Sequence, residues 1–215
     1  MNTIDHPIFL ESIDFIQSHL GFTGLDSLQQ QVLERLIHSS GDFGLQSLLR
    51  FSPGACEKGL FALNAGAPIL TDTAMASAAV SPMALRTAQS KVRTILDWAP
   101  KKSVVSTTRT AIGIERAWQE LSNECPLSQS PIVLIGSAPT ALEALLDLVV
   151  HGAMPPSLII GMPVGFIGVA DSKSRLAKSG LAHIRLDGTR GGAGLAAAAI
   201  NALLRASLAL SIKDD

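Results

Sequence analysis

Tyrosine is absent from this chain, and two tryptophans and seven phenylalanines bring aromatic residues to only 4% of 215 positions. Proteins that grip single-stranded nucleic acid stack bases on aromatic rings within a basic surface. With a net charge of −1 the chain has neither feature, so no nucleic-acid partner is expected. Cysteine is almost as scarce. Cys56 and Cys125 stand alone without CxxC spacing, which speaks against a disulfide framework and a thiolate metal site and fits reducing cytosol. His6, His19, His38, His151 and His183 never recur at i, i+4 or beside paired cysteines, so no metal-ligand set of accepted spacing exists.

Charge is also thin, at 16% of residues against about 25% in an average soluble protein. A surface this poor in charge is expected to be covered, most simply by a second copy of the chain. The opening MNTIDHPIF lacks a basic stretch followed by an apolar one, so no export signal is expected and the location reads as cytoplasmic. One apolar run, residues 194–212, has the length of a membrane crossing. It contains Asn201 and Arg205, and a charge at that depth costs about 2.5 to 3.5 kcal/mol. A core helix is the expectation, with no membrane partner.

What the chain does have is 47% hydrophobic content, enough for one domain over residues 1–215 with a large core. The front third has helical period: Ile8, Leu10, Ile13, Ile16 and Leu20 precede Gly21, and Leu25, Leu28, Val32, Leu33, Leu36 and Ile37 repeat the pattern. Asp26 and Gln29 have capping-box spacing, which predicts a helix start near residue 27, and Gly41 supplies its stop. From residue 67 short β-rich runs take over, at 67–72, 103–107, 131–137, 157–163 and 182–188. Continuous apolar runs separated by helical patterns predict an α/β fold with a five-stranded parallel sheet covered on both faces. In such sheets ligands bind beyond the carboxyl ends of the strands, where the clusters TDT, GSAPT, MPVGF and DGTRGG converge.

Residues 86–116 carry seven basic side chains, Arg109 and Arg116 among them, against Asp97 and Glu115, a region suited to holding an anion. His38 ends the second helix but lies about 160° to 200° from its apolar stripe. Arg35, three residues earlier, shares that strip of surface, so both side chains can point at one target. The negative end of the helix dipole favours the imidazolium and Arg35 opposes it, which leaves the sign of the His38 pKa shift open. A histidine ending a helix is also common in merely structural settings. The glycine clusters at 161–168 and 188–194 do not match GxGxxG after a first strand and read mainly as turn and tight-packing glycines. There is no GxSxG elbow, and Ser137 and Thr140 read as caps of the following helix.

Taken together, HPI and ES with Ser12, LERLIHSSGDF, LLRFSPGA, AGAPILTDTAM, GSAPTALEALL, IIGMPVGFIGVADSK and GTRGGAG resemble the precorrin-8X methylmutase family of cobalamin biosynthesis over nearly the whole chain. That resemblance implies a three-layer α/β/α, flavodoxin-like fold with an N-terminal helical segment, a homodimer and no cofactor. It implies an isomerase that moves a methyl group from C-11 to C-12 of precorrin-8X, or of cobalt-precorrin-8, to give hydrogenobyrinate or cobyrinate. His38 matches the family's catalytic histidine, an acid toward the macrocycle, while Ser12 and Arg35 match positions that contact substrate. Arg109, in TTRTA, matches a motif near the active site. The alternative is a corrinoid-binding or carrier protein without turnover, prompted by departures from the family pattern at Glu11, Asp171 and Ala193. A nucleotide binder, suggested by the glycine loops alone, is the third reading.

Overall fold

The computed structural model describes residues 6–102 and 105–211. Helix α1, Pro7–Leu20, begins as the sequence dictates: Pro7 occupies the first turn and the His6 side chain accepts from the Ile8 N–H. Helix α2, Ser27–Ser40, carries the full capping box of Asp26 and Gln29. It ends at Gly41, whose left-handed φ of 66° lets its N–H reach the Ile37 carbonyl. Strand β1 (Leu49–Phe51), helix α3 (Ala55–Asn64), strand β2 (Ile69–Thr71), helix α4 (Ala74–Arg86) and strand β3 (Val92–Thr94) follow. The chain continues with α5 (Arg109–Glu124), β4 (Ile132–Ile135), α6 (Pro139–Val150), β5 (Leu158–Gly161), α7 (Val169–Lys178), β6 (His183–Leu186) and α8 (Ala193–Ser211).

The six strands form one sheet in the order β1-β6-β5-β4-β2-β3, parallel except for β1, which runs antiparallel to β6. Along the central strands successive side chains enter opposite cores, as a period of two requires. Ile132, Leu134, Leu158 and Ile160 join the core under α1 to α4 and α8. Val133, Ile135 and Ile159 join the one under α5, α6 and α7. The fold is therefore mixed α/β with helices on both faces of a mostly parallel sheet.

Two expectations are corrected. The sheet has six strands instead of five, because β1 and β3 are edge strands, paired on one side only. β1 alternates buried Leu49 with exposed Arg50, and all three residues of β3 are half-buried, so neither shows the continuous apolar run that marks a central strand. The predicted strand at 103–107 is absent where it can be seen: residues 103 and 104 lie outside the described residues, and Val105 sits in a turn, fully exposed. The described part of the apolar run at 194–212 lies in α8, whose residues Ala196 to Leu204 are all buried, Asn201 being the most exposed at 8%. No helix among the described residues is long and apolar enough to cross a membrane.

Candidate active site

The capping box and Gly41 together fix where α2 ends, and so place His38 in its last turn, exposed, past buried Leu36 and Ile37. Helix α1 packs on α2, with the Gln17 amide donating to Glu34 Oε1 at 3.0 Å. That packing sets Ser12 Oγ 2.7 Å from His38 Nδ1. One turn earlier on α1, the Phe9 ring meets the His38 ring edge-on, centroids 4.9 Å apart and planes at 81°. The Arg35 guanidinium carbon lies 4.9 Å from the centre of the same phenyl ring, and that of Arg205 on α8 lies 4.7 Å from it. A cavity of about 270 Å³ opens beside them, lined by Phe9, Ile13, Gln17, Glu34, Arg35 and Arg205 among others.

Electrostatics settle the question that helix phase left open. Burial first, and the Arg35 charge second, hold the His38 imidazole below the ordinary histidine value. Burial also lowers the Arg35 guanidinium, whose Nε is enclosed without a hydrogen-bond partner. The free site therefore favours a neutral imidazole next to a cation. A neutral ring that accepts from Ser12 at Nδ1 carries its proton on Nε2, directed away from that hydroxyl; the opposite tautomer would donate from Nδ1 to Ser12.

Ser12, Arg35 and His38 are thus brought together, and Arg109 is not. Its helix, α5, packs into the core on the opposite face of the sheet, and its Nε donates to the Pro100 carbonyl at 2.7 Å. The basic stretch around it is partly spent on its own segment. Arg93 stacks on Trp98 at 4.0 Å and pairs with Glu120, an acid just beyond the 86–116 stretch. Arg116 donates to the Trp98 carbonyl.

Two buried ionisable residues, one at a strand end and one on α7, carry no local signal in the sequence. Asp72, at the end of β2, is fully buried and its Oδ2 accepts from the N–H groups of Gly136, Ser137 and Ala138 at 3.0, 2.6 and 2.8 Å. It ties down the turn that leads into α6; the cap expected of Ser137 and Thr140 does not form, since the N-cap is Ala138, which makes no side-chain cap hydrogen bond. Burial raises its pKa, against the pull of those three hydrogen bonds. The polar cluster TDT marked the place, but nothing local shows that a carboxylate reaches a turn 64 residues on. Lys173 on α7 is 1% exposed, and its ammonium donates to the Gly188 and Arg190 carbonyls. Burial, then the Arg185 charge, pushes it down to about 8.

The glycine loops behave as packing devices. A Cβ on Gly136 would stand 2.6 Å from the Ala193 backbone, and one on Gly191 would strike the Met162 carbonyl. The anion-binding nest before α6, which a phosphate would need, is already filled by Asp72. A larger cavity, about 700 Å³, lies near α3 and the segments before β5 and β6, but its lining has neither histidine nor arginine. Among the described residues no cluster of His, Cys, Asp and Glu suits a metal ion.

Comparison with known proteins finds relatives along most of the chain. The family described as "Precorrin-8X methylmutase" matches residues 7–206. The precorrin-8X methylmutase of Pseudomonas aeruginosa is 37% identical, across 91% of this chain and 93% of that protein. The cobalt-precorrin-8 methylmutase of Synechocystis is 34% identical, across 95% and 97%. A crystal structure of precorrin-8X methylmutase from Thermus thermophilus superposes with a TM-score of 0.83 at 36% identity, across 94% of this chain and 96% of that one.

Proposed function

The chain belongs to the precorrin-8X methylmutase family, and from that membership we propose that it is an isomerase moving a methyl group from C-11 to C-12 of precorrin-8X or cobalt-precorrin-8. The observation that carries a mechanism is the 2.7 Å contact of Ser12 Oγ with His38 Nδ1, beside Arg35. Ser12 fixes the imidazole so that Nε2 presents its proton to the macrocycle. Arg35 binds a substrate carboxylate through charge-assisted hydrogen bonds. Pairing with that carboxylate cancels the charge that lowers the His38 pKa, so binding itself favours the protonated ring. The acid is then charged when substrate is present and neutral when it is not. A methyl shift needs a held macrocycle and a placed proton, which orientation and general acid catalysis supply.

The same reading takes residues 1–215 as one cytoplasmic domain that pairs as a homodimer. In it Arg109 contacts substrate from a second wall, and the parallel strands, ordered β3-β2-β4-β5-β6, follow flavodoxin-like winding beside the antiparallel β1.

Incubation of the protein with precorrin-8X or its cobalt form should change the absorption spectrum as conjugation in the macrocycle extends. His38→Ala should turn over at least about 100-fold more slowly. A silent wild-type protein would discard the reaction, and a fully active His38→Ala would discard the acid.

A further inference from the structure

We infer that Phe9 is a positioning residue of this site, its ring holding the His38 imidazole and the Arg35 guanidinium in register, with Arg205 packed on it from α8; this rests on the methylmutase reading. Phe9 and Ser12 are three residues apart on α1 and so share one strip of its surface. From that strip one side chain hydrogen-bonds His38 and the other packs against it. Phe9 is half-buried yet belongs to neither apolar core. Its ring contacts are instead the catalytic histidine and two guanidinium groups, drawn from α2 and α8.

Such an arrangement fixes what hydrogen bonds leave loose. Arg35 Nε has no acceptor, so the phenyl ring is the contact that orients the guanidinium. His38 is held by one bond to a serine hydroxyl, which allows the ring to swing unless a second surface stops it. Phe9 supplies that surface. Around the imidazole the charged groups are Arg35 on its own helix and Arg205 on α8, with Glu34 in the adjoining cavity, its Oε1 held by the Gln17 and Gln30 amides. On α1 Ser12 is flanked by Glu11, which is exposed.

The test compares Phe9→Leu, which keeps an apolar side chain without the ring, with Phe9→Trp, which keeps an aromatic face. Two readouts are taken: kcat and KM with precorrin-8X, and titration of the His38 imidazole by NMR, identified by its loss in His38→Gln. Phe9→Leu should lower kcat/KM about 100-fold through kcat and KM together, the scale of a small misplacement. It should also move the His38 titration upward as water gains access to the ring. Phe9→Trp should stay within about fivefold of wild type, and all variants should keep the wild-type circular dichroism spectrum. A Phe9→Leu protein with wild-type titration and wild-type kcat/KM overturns the inference, as does a Phe9→Trp protein impaired as badly as Phe9→Leu. If wild-type protein fails to turn over, the family reading of the reaction falls, and the titration alone then decides whether Phe9 positions His38.

Discussion

At the scale of single residues, the proposed mechanism rests on a His38 that stays uncharged until substrate arrives. Both causes of its lowered pKa, burial and the Arg35 charge, favour the neutral ring. Arg35→Gln removes the second and leaves the first, so the His38 midpoint in an NMR titration should rise while staying under the ordinary value. The stability consequence has a definite sign. Between the unfolded and the folded pKa the unfolded chain binds more protons, so wild-type protein loses stability as pH falls through that window. Arg35→Gln, with a smaller gap, should lose less. An unmoved midpoint would disconnect the two side chains.

At the scale of elements, termini matter more than interiors. The turn that leads into α6 is held by Asp72, whose Oδ2 receives three consecutive N–H groups. Asp72→Ala leaves those donors unmatched inside the protein and should cost about 3 kcal/mol in urea unfolding. Asp72→Asn, which keeps an acceptor oxygen and sheds a buried charge, should recover most of it; equal losses in the two variants would show that the charge, and not the acceptor, is what that turn requires. The same scale explains what was legible beforehand. α2 could be read with both its ends, and α1 with its stop, because the capping box, Gly21 and Gly41 are local signals. β2, β4 and β5 could be read because strands buried on both faces are nearly continuous apolar runs, and β6 because Ile184 and Leu186 alternate with His183 and Arg185 ahead of a turn signal. β1 and β3 could not, since an edge strand needs few apolar residues, and neither could the Asp72 tie, which joins positions far apart in sequence. His38 and Arg35 stood out by helix phase, whereas Phe9 looked like any apolar residue of α1 until α2 and α8 were seen to meet it.

For the whole molecule, low charge and the separation of Arg109 from His38 point the same way. α2 and α5 lie on opposite faces of the sheet, so a homodimer offers a route for Arg109 of one copy to reach the pocket of the other. On that reading, inactive His38→Ala and Arg109→Ala chains, unfolded and refolded together, should regain roughly a quarter of wild-type activity, the statistical share for random pairing. No regain at any mixing ratio would put Arg109 to work within its own chain or outside the site.

The pairing of α2 with α8 sets a further condition, on timing. Ser12, Arg35 and His38 leave the ribosome well before Arg205, whose helix packs against α2. β1 likewise waits for β6, its partner 137 positions away at Leu49 and Leu186. Contacts this distant in sequence form late. A nascent chain stopped before Ala193 therefore holds His38 without the wall that completes its surroundings, and under the proposed mechanism catalytic competence waits for α8.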